Sequence, residues 1–153
     1  MTLVQAVASI PPWVVLVAFL AVIVLISLRT RSYTDVRVGN ATVHAELADN
    51  LIKQMLGLMG RGALSESEGM LFPLWQESRP SFWMMGMRIP IDVVYFDSNG
   101  TVVDVKRDVQ PFSFSNPSTN FSPSQNAMYV LEVSAGFVQR HEIKVGAKAK
   151  FTI

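Results

Sequence analysis

The hydrophobic positions of this chain change rhythm once, near residue 30. From Trp13 to Leu28 no residue is charged and nearly all are apolar, and the run stops at Arg29 and Arg31. Extended back through Val4–Pro12, it approaches the roughly 20 apolar residues that span a bilayer core. It predicts a transmembrane helix over about residues 10–28, with Pro11 and Pro12 at the start, where a missing amide donor costs least. No Lys or Arg precedes the run and no small-x-small cleavage pattern follows it, so an uncleaved anchor fits better than a signal peptide.

Beyond residue 32 the period shortens to two. Asp35–Val38, then Gly39-Asn40, then Ala41–Leu47 reads as a hairpin, with Val43, Ala45 and Leu47 alternating against Thr42, His44 and Glu46. Leu51, Ile52, Met55, Leu56 and Met59 recur at helical spacing behind an Asp49 or Asn50 cap, and Gly60 is the expected stop. Ile91–Phe96 and Thr101–Val105 flank Asn99-Gly100, the strongest short hairpin signature. Residues 108–126, rich in Ser, Pro, Asn and Phe, predict a long loop. Met128–Val133 returns to strand, Gly136–Glu142 predicts a helical turn, and Lys148–Ile153 can close the sheet. The expectation is therefore a membrane anchor over residues 1–32 and one β-rich domain over 33–153.

Composition narrows the function classes. A net charge of +1 with dispersed Lys and Arg gives no nucleic-acid footprint. The absence of cysteine excludes disulfides, thiolate metal sites and a cysteine nucleophile. Orientation signals conflict. Arg29, Arg31 and Arg37 after the span favour a cytoplasmic domain, whereas the sequons at Asn40, Asn99 and Asn120 have meaning only outside.

One ordered set of short motifs points to a family. Gly57-Leu-Met59 with Arg61 and Leu64, Gly69-Met-Leu-Phe72, Phe82-Trp-Met84, Ile89-Pro-Ile-Asp92, and Val130-Leu-Glu132 with Ala135-Gly136 run in sequence over about half of the chain. Together they resemble the domain of unknown function 192 family, small secreted or membrane-anchored prokaryotic proteins. The resemblance implies a compact, mainly β (α+β) fold, a barrel-like antiparallel sheet with one or two short helices, an extracytoplasmic domain, and no established activity. Two departures stand out. Met85, Gly86 and Met87 occupy positions where the family commonly has Lys-Asn-Thr, and Ala147 follows Gly146 where an acidic residue is usual.

The candidate chemistry is sparse. Alternation puts Asp92 on one strand face with Val94 and Phe96, and Glu132 sits inside an apolar strand, so burial would raise the pKa of either carboxyl that faces a pocket. Alternatively both merely accept hydrogen bonds that fix the fold. Phe82, Trp83 and Met84, with Met59, Arg61 and Asp92, form the expected ligand-binding set, since aromatics beside a few polar groups are what a small-molecule site needs. Methionine thioethers at 55, 59, 84, 85 and 87 suit a soft ion, but methionine also fills ordinary cores. With two histidines and no cysteine, no metal site and no cofactor is assigned. No phosphate loop, His-Glu-x-x-His or Gly-x-Ser-x-Gly elbow is present. The leading expectation is a membrane-anchored domain binding a small molecule, glycan or protein partner at a cleft near Trp83, Asp92 and the 108–126 loop. An envelope hydrolase using Asp92 and Glu132 as a pair, and a structural accessory membrane protein, are the alternatives.

Overall fold

A computed structural model describes residues 11–113 and 120–153. They fall into two units, one ending at Arg31 and one spanning Ser32–Ile153. The first contains helix α1, Pro12–Arg29, with Pro12 at its first turn and Arg29 in its last. Its described side chains from Val15 to Ile26 are all exposed. The transmembrane expectation needs correction here, because no helix among the described residues is long and apolar enough to cross a membrane.

The second unit is built on seven strands: β1 Tyr33–Val38, β2 Ala41–Leu47, β3 Glu68–Ser78, β4 Ile91–Phe96, β5 Val102–Val109, β6 Ala127–Ser134 and β7 Ala149–Lys150. Two short helices accompany them, α2 Leu51–Leu56 and α3 Phe137–Arg140. The sheet order is β5-β4-β6-β3-β2-β1-β7, curled into a half-barrel. Near one corner the two edges meet, since Thr101 bridges to Lys148, Val102 N donates to Ala147 O at 2.8 Å, and Ala149 N donates to Gly100 O at 2.8 Å. The expected purely antiparallel sheet is in fact mixed. β2 runs parallel to β3, which requires the crossover through α2 that links them.

Both sheet faces are covered, which is why β4 is buried at every position. One face holds Val36, Val43, Leu71, Val94, Phe96, Leu131, Val133 and the α3 residues Phe137 and Val138. The other holds Met70, Phe72, Val93, Tyr95, Val130, Leu58 and Met84. Gly69 is required where the strands approach most closely, because a Cβ there would stand 2.7 Å from Glu132 O and 2.8 Å from Val43 Cγ1.

The β4–β5 hairpin forms where Asn99-Gly100 indicates, although Gly100 alone of the two has a positive φ, +71°. Asp97 supplies the rest of the turn, its Oδ1 accepting from Asn99 N at 2.9 Å and Thr101 N at 2.7 Å. Helix α2 is capped by Asn50, whose Oδ1 accepts from Lys53 N at 3.0 Å. It stops at Gly57, with φ +50°, rather than at Gly60. Of the 108–126 loop, residues 108 and 109 belong to β5, and 114–119 lie outside the described residues.

Candidate functional site

A cleft of about 250 Å³ opens on the Met70–Phe72 face of the sheet. Strands β3 and β6 supply its base through Phe72, Leu74 and Glu132, and α2 with its exit turn supplies one wall from Gln54 to Leu58. Pro80–Trp83, Met85 and Met87 form the other wall. Each wall is fixed by main-chain chemistry. Gln54 Nε2 donates to Ala48 O and Pro73 O, both at 3.1 Å, tying α2 to β3. Phe82 pairs with Phe121 through reciprocal N–H···O bonds of 2.9 and 3.0 Å. The Phe82 ring meets Phe72 edge-on at 5.4 Å, Tyr95 at 6.5 Å, and stacks on Phe121 at 6.0 Å. Gly57 borders the base, since a Cβ there would meet Phe72 Cζ at 3.5 Å and Glu132 Oε2 at 3.7 Å.

The apolar periodicity of α2 is therefore not the core stripe that it resembles. Met55 and Leu56 line the cleft, and Met55, Met59, Trp83 and Met85 are exposed around it. A large apolar surface left exposed at a concave site marks binding more often than packing.

Glu132 is the single ionisable residue in the cleft lining. Register puts it between Met70 of β3 and Val93 of β4, both core residues of this face. It is 6 % exposed, and its Oε2 finds no hydrogen-bond partner among the described residues. Burial pushes its carboxyl up to about 8, against a smaller opposing pull from Arg61. Arg61 is itself engaged, because its guanidinium bonds the buried Glu46 carboxylate. On the same face, the Tyr95 hydroxyl is likewise buried without a partner among the described residues, and burial together with the Glu132 charge raises its pKa. A buried polar atom left unpaired costs about 1–3 kcal/mol and calls for an explanation.

The expected site residues separate on this geometry. Phe82 and Trp83 reach the cleft, and Trp83 is 48 % exposed. Met84, between them and Met85, turns into the core and is fully buried. Met59 packs its side chain over Gly86, where a Cβ would stand 2.6 Å from Met59 Cγ. Arg61 acts on Glu132 from outside the lining.

Asp92 belongs to the opposite face. It pairs with Val133, whereas Glu132 pairs with Val93, so adjacent strands point the two carboxyls to opposite sides of the sheet. The expected cleft joining Trp83 to Asp92, and the expected Asp92–Glu132 acid–base pair, are not formed. Asp92 is instead a framework group, its Oδ1 accepting from Asp108 N and its Oδ2 from Val138 N, both at 2.8 Å. It thereby fixes the positive-φ kink at Asp108 and the first turn of α3. His44 lies in a separate groove, bonded to Asp35 at 2.9 Å and stacked on Tyr33 at 4.7 Å. Among the described residues no group of three His, Cys, Asp or Glu side chains is placed to hold a metal ion.

Phe72, Leu74, Gln54 and Gly57 are cleft residues outside the expected binding set, although Gly57 and Phe72 stand in the ordered motifs. A Gly immediately after an amphipathic helix, ahead of the expected stop, was the available signal.

Comparison with known proteins bears on the fold more than on the site. UPF0127 protein PF1050 of Pyrococcus furiosus is 31% identical over 111 residues, 71% of this chain and 87% of the relative. UPF0127 protein PYRAB11210 of Pyrococcus abyssi is 32% identical over 108 residues, 69% and 84% respectively. A UPF0127 protein of Thermococcus gammatolerans is 29% identical over 103 residues, and the match spans 63% of that relative's length. Two crystal structures share the fold. One, from Sinorhizobium meliloti and named as a candidate transcription regulator, superimposes with a TM-score of 0.73 at 25% identity, covering 80% of this chain and 95% of the other. The second, a protein of unknown function from Novosphingobium aromaticivorans, gives 0.69 at 27% identity over 78% and 84%. With the family model for uncharacterized ACR, COG1430 matching residues 34–151, the chain belongs to the domain of unknown function 192 family.

Proposed function

We propose that residues 33–153 form a binding domain for a small, largely apolar molecule that sets one polar group against Glu132. The observation that carries this reading is the unpartnered Glu132 oxygen at the base of a mostly apolar cleft. Such a group is retained at a cost in stability unless something occupies it. The cavity, about 250 Å³, suits a molecule at the small end of the ligand range, where clefts begin near roughly 300 Å³. Among the described residues Glu132 is the one carboxyl in the cleft lining, so binding is favoured over catalysis.

The test is to close the mouth without touching the core. Met55 is exposed on α2 and lines the cleft, so Met55→Trp fills it at little cost to folding. An environment-sensitive apolar fluorophore should bind the native chain saturably and lose at least about tenfold in affinity in the variant, with the melting temperature unchanged. Equal binding by both proteins refutes the site.

Membrane attachment through α1 forms part of the same proposal. Its support is the exposed apolar surface from Val15 to Ile26, which water disfavours and lipid would cover. The full-length chain should co-sediment with lipid vesicles. Recovery in the supernatant refutes it.

A further inference from the structure

We infer that the cleft recognises a hydrophobic ammonium compound, an aromatic or alkyl amine bound in its protonated form, with its N–H groups on the Glu132 carboxylate. The inference rests on the proposed binding role of the cleft and assigns its ligand class. Three features of the cleft converge on it.

The first is charge. Glu132 is the one ionisable side chain in the lining, so no cation is present there to receive a carboxylate or phosphate ligand. An anion would have to give up its hydration in a dry space whose lining holds no cation, which desolvation opposes. A cation supplies the partner that Glu132 lacks.

The second is the fate of the neighbouring cation. The one guanidinium that acts on Glu132 is that of Arg61, and it is held by Glu46 on β2. From β4, the neutral Tyr95 hydroxyl lies on the same face but outside the lining, and it also lacks a partner among the described residues. Neither α2 nor residues 80–87 adds an ionisable side chain to the lining. An ammonium group carries up to three donors and can supply the hydrogen bond that the Glu132 carboxylate lacks.

The third is the wall chemistry. Phe72, Phe82 and Trp83 offer aromatic rings, and Met55, Met85 and Met87 offer polarisable thioethers. Ring faces attract cations as well as apolar bodies, and thioethers adapt to varied alkyl shapes. Trp83 is half exposed at the entrance, where a ring can cover an entering ligand.

The experiment compares 2-phenylethylammonium with its neutral isostere 2-phenylethanol on the full-length chain by titration calorimetry between about pH 6 and 8.5. Because Glu132 titrates near 8, the competent carboxylate grows about tenfold per pH unit below that value, and the amine affinity should grow with it. The alcohol affinity should stay flat. Calorimetry in buffers of different ionisation enthalpy should count about one proton released per amine bound near pH 7, and none for the alcohol. Glu132→Gln should remove the proton release and the amine's advantage while sparing the alcohol. Should that variant fail to fold, the pH series and proton count on the native chain still decide. An alcohol that binds as tightly as the amine at about pH 8.5, or amine binding without proton release, overturns the ligand class and leaves the cleft reading standing. No saturable binding of either compound up to about 10 mM overturns both.

Discussion

Replacing Glu132 by glutamine should flatten the pH dependence of folding stability, and the burial of this one carboxyl sets both the sign and the size. In the unfolded chain the group loses its proton near its ordinary value of 4.5, whereas in the folded domain burial holds the proton until about 8. Between those values the native state binds more protons than the unfolded state, so stability falls as pH rises. The contribution is fully present below about 4.5, declines by about 1.4 kcal/mol per pH unit, and levels off above about 8. Over that window the loss approaches about 5 kcal/mol, and the full burial of the group leaves little solvent screening to reduce it. Glutamine has no such dependence. Its own unpartnered amide shifts stability by an amount that does not vary with pH, so the slope isolates the carboxyl. Urea unfolding of both proteins at about pH 5, 6.5 and 8, followed by circular dichroism, should show the variant gaining on the native chain at each step. A stability difference constant to about 0.5 kcal/mol across that range would refute the burial assigned to Glu132.

Asp92→Asn should lower stability by about 2–4 kcal/mol, because one of two charge-assisted bonds becomes a donor facing a donor. Fluorophore binding at the cleft should be unaffected, and weakened binding at an unchanged melting temperature would contradict the placement of Asp92 on the far face. Arg61→Met removes the positive charge that holds the Glu132 value down, so a carbon-13 NMR titration of that carboxyl should move above about 8. A downward shift would mean that Arg61 is not the charge acting on Glu132.

Much of the framework was legible because it is local. The Gly39-Asn40 and Asn99-Gly100 turns mark both hairpins, and period-two alternation correctly separated Ile91, Val93 and Tyr95 from Asp92, Val94 and Phe96. The 11-residue strand β3 escaped this reading. It is buried on both faces from Gly69 to Phe72 and interrupted by Pro73, so it shows neither alternation nor clean boundaries. Helix α2 misled in the opposite way. Its periodic apolar residues satisfy the pattern of a core-facing helix, yet Met55 and Leu56 line an open cleft, Leu51 is exposed, and the buried member is Lys53, 3 % exposed and paired with Asp49 at 2.8 Å.

The sequence by itself determined the apolar N-terminal run, the strand faces, the turn chemistry and the family, because each depends on residues close together in the chain or on an ordered set of short motifs. Tertiary structure alone decided the site. Whether Asp92 and Glu132 share a pocket depends on the register between β4 and β6, and a shift of one residue would reverse the answer. That Glu46 claims Arg61, leaving Glu132 with an unpaired oxygen, follows from the parallel pairing of β2 with β3. Such contacts join segments far apart in sequence, and no local pattern encodes them.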